Sequence, residues 1–321
     1  MPPIDLNILI AESAGFAPAA AELLRKAGNV RLADLDRAAL LDAAATADVL
    51  WVRLRHRIDA AVMNAAPRLK FIATPTTGLN HIDLAEAERR DIQVLSLRGE
   101  TEFLKDVRAT AEHTVGLLLA LLRHTAAATA STLYGEWNRD LFKGGELYGK
   151  TAGVIGYGRL GRLVAHYLSA FGMRVLACDP HVDPTTAAPG VEFVSLRHLL
   201  QESDVVTLHV NLCAETTGFF GSAEFAAMKR GAWFVNTARG ELVDETALLA
   251  VLENGHLAGA ALDVLGDERA TGMGDHPLID YARRHANLLI TPHIGGCTKE
   301  SMEKTELFLA DKLCRAVGAL R

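Results

Sequence analysis

The sequence predicts an α/β protein made of two successive parallel-sheet units. Three observations carry the prediction. Short β-branched runs alternate with longer amphipathic runs along nearly the whole chain, the pattern of strands joined by crossover helices. The alternation stops once, at a long helical stretch and an irregular aromatic loop, and restarts at Thr151. A length of 321 residues favours two domains over one and lets each bury a sizeable core.

In the first third, "NILIA", "VLWVRL", "KFIAT" and "IQVLSL" read as strands. Between them "APAAAELLRKAG", "DRAALLDAA" and "DLAEAERRD" read as helices, the first stopped by Gly28. "GETEFLKDVRATAEHTVGLLLALLRHTAAATA" reads as one long helical segment, with the seam between the units near residues 101–125. "YGEWNRDLFKGGELYGK" follows, and Tyr134, Trp137 and Phe142 make it an ordered loop rather than a flexible linker. From Thr151 onward "TAGVIG", "MRVLACD", "DVVTLHV", "AWFVNTA", "GAALDV" and "NLLITPH" read as strands. Their helices include "SAEFAAMKR", stopped by Gly231, and "DETALLAVLENG", capped by Asp244 and stopped by Gly255. "TKESMEKTELFLADKLCRAV" closes the chain as an amphipathic helix.

Composition excludes several classes of function. Half the residues are hydrophobic and 22% are charged, as in ordinary globular proteins. The net charge is −6 with no Lys/Arg-rich run, which argues against a nucleic-acid surface. No apolar stretch reaches the roughly 18 residues of a membrane span; "TVGLLLALLRH" is broken by Arg123. "MPPIDLNILIAES" lacks a basic leader and enters a strand at once, so it does not read as a secretion signal. Cys178, Cys213, Cys297 and Cys314 are scattered without metal-binding spacing. They read as buried reduced thiols, which fits a reducing cytoplasm, and no metal site is expected.

"TAGVIGYGRLGRLVAHYLSAFGMRVLACDP" carries the clearest chemical signal. A dinucleotide pyrophosphate packed on a helix N-terminus explains its three glycines. Gly156 permits the tight turn out of the strand, Gly158 lets backbone approach phosphate, and Gly161 lets helix and strand pack closely. The helix offers unpaired N–H groups and the positive end of its dipole. Leu160, Val164, Tyr167, Leu168 and Phe171 recur at helical spacing. Asp179 ends the next strand at roughly the 20-residue offset of a residue that binds the adenosine ribose hydroxyls. A carboxylate there repels a 2′-phosphate and favours NAD over NADP. Against the bland alternative of a merely tight βα turn stand four features at once: strand, helix, second strand and acid.

Three polar residues follow apolar runs in the second half: Arg239 in "FVNTARGELVD", Glu268 in "ALDVLGDER" and His293 in "LLITPHIGG". Singly, they read as a surface ion pair, a solvated loop acid and a helix-flanking histidine. Together, at the carboxyl edge of one sheet where α/β ligand sites lie, they form a catalytic set. Hydride transfer to a ketone needs a proton donor, and histidine titrates in the right range. A neighbouring carboxylate would favour imidazolium and orient the ring. A guanidinium can hold a substrate carboxylate and polarise the adjacent carbonyl.

With these motifs assembled, the chain resembles the NAD-dependent D-isomer-specific 2-hydroxyacid dehydrogenases, which include phosphoglycerate, glycerate and D-lactate dehydrogenases. "GYGRLG" with "CDP", "DVVTLHVNL", "MKRGAWFVNTARGELVDETALLAVLENGHLAGAALDV" and "LLITPHIGG" carry the resemblance over most of residues 150–297. The resemblance implies catalytic roles for Arg239, Glu268 and His293. It implies cofactor contacts at Gly156, Gly158, Arg159, Leu160, Gly161, Asp179, Thr237, Ala238, Arg239, Asp263 and His293, with Gly295 and Gly296 behind the histidine. Substrate would be met partly by backbone around Leu54 and Arg55 in "RLRHR", and around Thr77 and Gly78 in "TTGLNHID". Arg53, Arg55 and Arg57 alternate, so some of them also read as solvated strand-end charges. The implied fold is a pair of Rossmann-like or flavodoxin-like parallel-sheet domains with an interdomain cleft. A substrate-binding domain would comprise residues 1–101 and 292–321, and an NAD-binding domain residues 102–291. A homodimer is implied, with the long helix and the Trp137 loop at its interface.

The resemblance has departures. Arg269 stands where a proline usually follows the catalytic glutamate, which leaves Glu268 resting on its spacing from Asp263, with Asp267 as competitor. Asn211 replaces a common proline. The stretch 98–113 is longer and more charged than usual and reads as pocket rim or subunit contact. No appended regulatory module follows residue 321, so feedback control through one is not expected. The expected activity is NAD-dependent interconversion of a small 2-hydroxy acid and its 2-keto acid, on phosphoglycerate, glycerate or a related acid. The alternatives are an NAD-sensing scaffold without catalysis and a dehydrogenase of another small anion such as formate or phosphite. Formate oxidation needs no proton donor, and resembling enzymes carry Gln where Glu268 stands.

Overall fold

In the computed structural model, which describes residues 6–268 and 273–318, the first unit is a five-stranded sheet. Its strands are β1 (Leu6–Ile10), β2 (Gly28–Leu32), β3 (Val49–Trp51), β4 (Phe71–Ala73) and β5 (Gln93–Leu95). All pairings are parallel, in the order β2-β1-β3-β4-β5, the flavodoxin-like doubly wound order. Helices cover both faces, so successive residues bury in opposite directions. Ile8, Ile10 and Trp51 pack with Leu309 and Leu313 of the last helix, Lys299–Ala316. Leu9, Leu50 and Ile72 pack on the other side with Leu40 and Val62.

The second unit contains β6 (Thr151–Ile155), β7 (Arg174–Cys178), β8 (Val191–Phe193), β9 (Val205–Leu208), β10 (Trp233–Asn236), β11 (Gly259–Leu262) and β12 (Leu288–Ile290). The order is β12-β11-β10-β9-β6-β7-β8, again all parallel. Counted from β6, this is the dinucleotide-binding order with one strand added, and its direction reverses between β6 and β9. Val154, Val175, Val205 and Val235 face the helices Ala109–Leu122 and Arg159–Ala170. Ile155, Leu176, Val206 and Phe234 face Leu199, Phe225 and Leu248.

Two strands escaped the sequence reading, and both lie at sheet edges. β2 and β8 have mostly exposed or half-buried residues, because an edge strand has fewer neighbours to bury it and lacks the continuous apolar run of a central one. The long helical segment is three helices, Thr101–Leu104, Ala109–Leu122 and Thr125–Leu133. His124, with φ 53°, breaks the last two apart. The first of them belongs to the first unit. Phe103 stacks on Phe308 of the last helix with ring centroids 3.9 Å apart. Lys312 Nζ donates to Glu100 Oε1 at 2.5 Å and to the Ser96 carbonyl at 2.9 Å. The chain therefore divides into Met1–Val107 with Thr298–Arg321, and Arg108–Cys297. These boundaries fall a few residues beyond 101 and 291, because residues 101–104 pack on the last helix and the segment after β12 stays with its own sheet.

The alternating arginines are not equivalent. Arg53 Nε donates to Glu306 Oε1 at 2.9 Å, and its NH2 bonds the same oxygen. Glu306, deep in the last helix, also accepts the Ala17 N–H at 2.8 Å ahead of the helix Pro18–Leu24. Burial pushes the Glu306 carboxyl up while Arg53 and the Ala17 N–H oppose it. Arg55 forms an exposed pair with Asp34. Removing one partner of a buried pair leaves a charge without compensation. Arg53→Met is expected to cost about 3–5 kcal/mol of unfolding free energy, with Arg53→Met/Glu306→Met recovering most of it; urea unfolding checks both, and equal loss in the double variant would refute the pairing.

Candidate active site

The turn after β6 is shaped by close backbone approach. Gly156 has φ 88°, and a Cβ there would stand 2.6 Å from the His209 carbonyl oxygen. A Cβ on Gly161 would stand 1.9 Å from the Gly156 carbonyl oxygen, so the helix Arg159–Ala170 can sit on the turn only without it. Gly158 differs. Its φ is −77° and a Cβ would meet nothing within 4 Å. The packing of the protein itself does not require glycine there. No side chain caps this helix, whose N-cap is Gly158, and a helix N-terminus of this kind is suited to an anion. Tyr157 is buried beneath the turn, its ring edge-on to Phe193. Burial also draws the half-buried Arg159 guanidinium below its ordinary range.

Asp179 closes the turn from the tip of β7. Its Oδ2 accepts the Tyr157 N–H at 2.8 Å and its Oδ1 the His181 N–H at 2.9 Å. Each oxygen keeps acceptor capacity for a ribose hydroxyl. His209, at the end of β9, has Nε2 3.1 Å from Thr207 Oγ1 and an enclosed Nδ1 that has no partner among the described residues. Burial lowers its imidazole to about 4, so near neutral pH it puts no charge beside the turn.

The three candidate catalytic loops leave neighbouring strands at one level. Asn236 of β10 pairs with Leu262 of β11, and Leu262 pairs with Ile290 of β12. Thr237, Asp263 and Thr291 therefore emerge side by side. His293 Nδ1 lies 2.6 Å from Glu268 Oε1. The carboxylate that reaches the imidazole is thus Glu268's, while its competitor Asp267 is exposed with φ 51°. Arg269 lies outside the described residues. Arg239 is half-buried, and its NH1 meets its neighbour's Ala238 carbonyl at 2.5 Å. Asn236 braces this loop, donating to the Arg239 carbonyl at 2.8 Å and accepting the Ala238 N–H at 3.0 Å. The following Gly240 packs directly on the backbone of Leu265 and Gly266, which ties the Arg239 loop to the one bearing Glu268.

Asp263 lies beneath the histidine with its side chain 1% exposed. Its Oδ1 accepts the Thr291 hydroxyl at 2.6 Å and the Ile294 N–H at 2.9 Å, and its Oδ2 accepts the Gly295 N–H at 2.7 Å. A Cβ on Gly295 would come within 2.9 Å of Oδ2, so packing alone accounts for that glycine. Gly296 stands in open space. Thr237 Oγ1 lies 2.7 Å from Thr114 Oγ1, and His113 Nε2 lies 3.2 Å from Asp263 Oδ1 and 3.1 Å from Thr291 Oγ1. Sequence reasoning missed His113, Thr114 and Thr291. The available signal was a polar "HT" inside the otherwise apolar "ATAEHTVGLLLALL".

In the first unit, the loop after β3 is wrapped on Glu12. Its carboxylate accepts the N–H groups of Arg53 at 3.1 Å, Arg55 at 3.2 Å and His56 at 3.4 Å. Burial lowers the His56 imidazole against the opposing pull of Glu12. Among the described residues the Leu54, Thr77 and Gly78 amides have no protein acceptor. Thr76 fixes the second loop by donating to the Gly78 carbonyl at 2.8 Å. Asn211 is exposed, its carbonyl bonded by Thr216 at 2.7 Å. Among the described residues, no helix is long and apolar enough to cross a membrane.

A family model described as D-isomer specific 2-hydroxyacid dehydrogenase, NAD binding domain, matches residues 115–295. The chain is 38% identical over 313 residues to D-3-phosphoglycerate dehydrogenase of Mycobacterium bovis, covering 97% of this chain and 57% of that protein. It thus spans little more than half the length of that relative. Hydroxypyruvate reductase of Thermotoga maritima is 38% identical over 271 residues, covering 84% of this chain and 85% of that protein. The crystal structure of D-lactate dehydrogenase from Aquifex aeolicus, complexed with NAD and lactic acid, superposes with TM-score 0.83 at 28% identity. The superposition covers 98% of this chain and 96% of that one.

The contrast between the glycines is testable. Gly161→Ala is expected to cost about 3 kcal/mol or more through overpacking. Gly158→Ala is expected to change stability by less than about 1 kcal/mol while weakening NADH binding about tenfold. Thermal unfolding and NADH fluorescence titration check the pair; unweakened NADH binding by Gly158→Ala would remove the ligand-based reason for that glycine.

Proposed function

Because the chain belongs to the D-isomer specific 2-hydroxyacid dehydrogenase family, whose members are NAD-dependent oxidoreductases, we propose that it interconverts a small 2-hydroxy acid and its 2-keto acid. The observation that carries this reading is the His293 Nδ1–Glu268 Oε1 contact of 2.6 Å. With Nδ1 engaged by the carboxylate, Nε2 is the ring atom left to exchange a proton with the substrate oxygen. Arg239 holds the substrate carboxylate and polarises the neighbouring carbonyl. When bound, the oxidised coenzyme would supply the hydride acceptor for the 2-hydroxy acid, and NADH the hydride donor for the 2-keto acid. The residues fit that cofactor: an uncapped helix N-terminus, an open Gly158 and Asp179 at the strand tip. The Asp179 carboxylate repels a 2′-phosphate and selects NAD over NADP.

Residues 108–297 form the NAD-binding domain in this reading. The remainder, with the last helix, binds substrate through the free amides of Leu54, Thr77 and Gly78. Clustered backbone donors of this kind suit a carboxylate or phosphate. The substrate class is a short acid of the size of glycerate, with or without a phosphate, in keeping with the two relatives' names. Arg53 is committed to Glu306 and Arg55 is paired with Asp34 at the surface, which leaves Arg57 for a phosphate. Leu133, Tyr134 and Trp137 are 81%, 89% and 90% exposed, and a homodimer covers them. Of the four free cysteines Cys314 is buried and Cys178 half-buried, whereas Cys213 and Cys297 are exposed, against the expectation that all are buried.

An NADH-oxidation screen across 2-keto acids of varied size and charge tests the activity, and absence of turnover on all of them would refute it. His293→Ala is expected to lower kcat about 100-fold or more while NADH binding stays unchanged; retained turnover would exclude the acid/base role. Trp137→Glu is expected to yield monomers by light scattering, and an undisturbed dimer would place the interface elsewhere.

A further inference from the structure

We propose that His113 is a positioning residue for His293, holding the segment Thr291–Gly295 in place through Asp263 and Thr291; this rests on the reading of His293 as the acid/base group.

The argument begins with who donates to whom. Asp263 Oδ1 and Thr291 Oγ1 both face His113 Nε2, at 3.2 and 3.1 Å. The Thr291 hydroxyl has one proton, given to Asp263 Oδ1 at 2.6 Å, so toward His113 it can only accept. A carboxylate oxygen can only accept as well. Nε2 therefore carries a hydrogen and shares it between the two. Among the described residues no lysine or arginine pairs with Asp263, whose recorded partners are Thr291, the Ile294 and Gly295 amides and His113. A carboxylate this deeply buried depends on each donor it has.

The consequence reaches His293 through its backbone. His293 has φ 53°, a left-handed conformation that strains a non-glycine residue. Its N–H is shared between the Asp263 and Thr291 carbonyls, at 2.9 Å each, while Asp263 Oδ1 and Oδ2 hold the next two amides. The strained residue is thus held on both sides by Asp263. That bracket aims the imidazole at Glu268. His113 ties the bracket to the helix Ala109–Leu122, next to Thr114, which bonds Thr237. One helix thereby contacts all three loops that carry Arg239, Glu268 and His293.

The test compares His113→Leu with His113→Gln, whose amide nitrogen can stand where Nε2 stands. In His113→Leu, exchange at the Ile294 and Gly295 amides is expected to accelerate about tenfold or more. kcat is expected to fall about tenfold with NADH affinity unchanged, and the pH profile of kcat to shift. His113→Gln is expected to restore most of each. Thr291→Val, which keeps the shape and removes the hydroxyl bridge, is expected to share the signature and serves if His113→Leu does not fold. Unchanged exchange at both amides with an unchanged pH profile overturns the proposal, as does failure of His113→Gln to rescue. Inactivity of the unaltered protein toward every acid would count against the role of His293, and the exchange measurement would still decide whether His113 holds the bracket.

Discussion

The candidate site depends on one buried carboxylate. Asp263 sits where the loops after three adjacent strands meet, and nearly nothing of its side chain reaches water. A charge in that position must find donors or be very costly. It finds them in the hydroxyl of Thr291, the amides of Ile294 and Gly295, and the ring of His113. Each donor lies on an element that would otherwise be free to shift. Satisfying the charge and ordering the loops are one event.

The sheet makes this possible. In a parallel sheet the strands end together, and register places Thr237, Asp263 and Thr291 within reach of one another. Two left-handed residues flank the resulting pair: Asp267 immediately before Glu268, and His293 itself. Neither conformation would persist in an unbraced loop. Placing strain at both ends of the 2.6 Å contact means that the surrounding hydrogen bonds, rather than the contact alone, hold imidazole against carboxylate.

Much of this could be read in the sequence, for physical reasons that also explain the gaps. Central strands announce themselves through apolar runs such as "DVVTLHV", whereas β2 and β8, at sheet edges, have no such run to show. Gly156 and Gly161 were legible because backbone contact leaves no alternative to glycine there. Glu268 could be narrowed only to one of two adjacent acids, since spacing does not reveal which one a left-handed residue turns toward the histidine. His113 showed in the sequence only as a polar residue in an apolar helix, because its partners lie 150 and 178 positions away. The single long helix was misread because nothing in "LLRHTAAATA" marks His124 as the residue that turns left-handed. Arg53 looked like one of three surface charges, and only the fold brings it to Glu306.

The same device recurs in the first unit. Loops at the carboxyl edge of a parallel sheet have left the ladder, so their amides need new acceptors. Glu12, at the end of β1, takes three of them from the loop after β3, skipping Leu54. Asp263, at the end of β11, takes two from the loop after β12. In both units a buried acid from one strand end gathers the amides of the next loop and so decides which groups remain to face a ligand. In the first unit the loop amide passed over is that of Leu54; in the second the gathered amides follow directly on His293. A rigid edge with a few uncommitted groups is what recognition of a small anion demands, because flexible donors would lose on binding the freedom they kept beforehand.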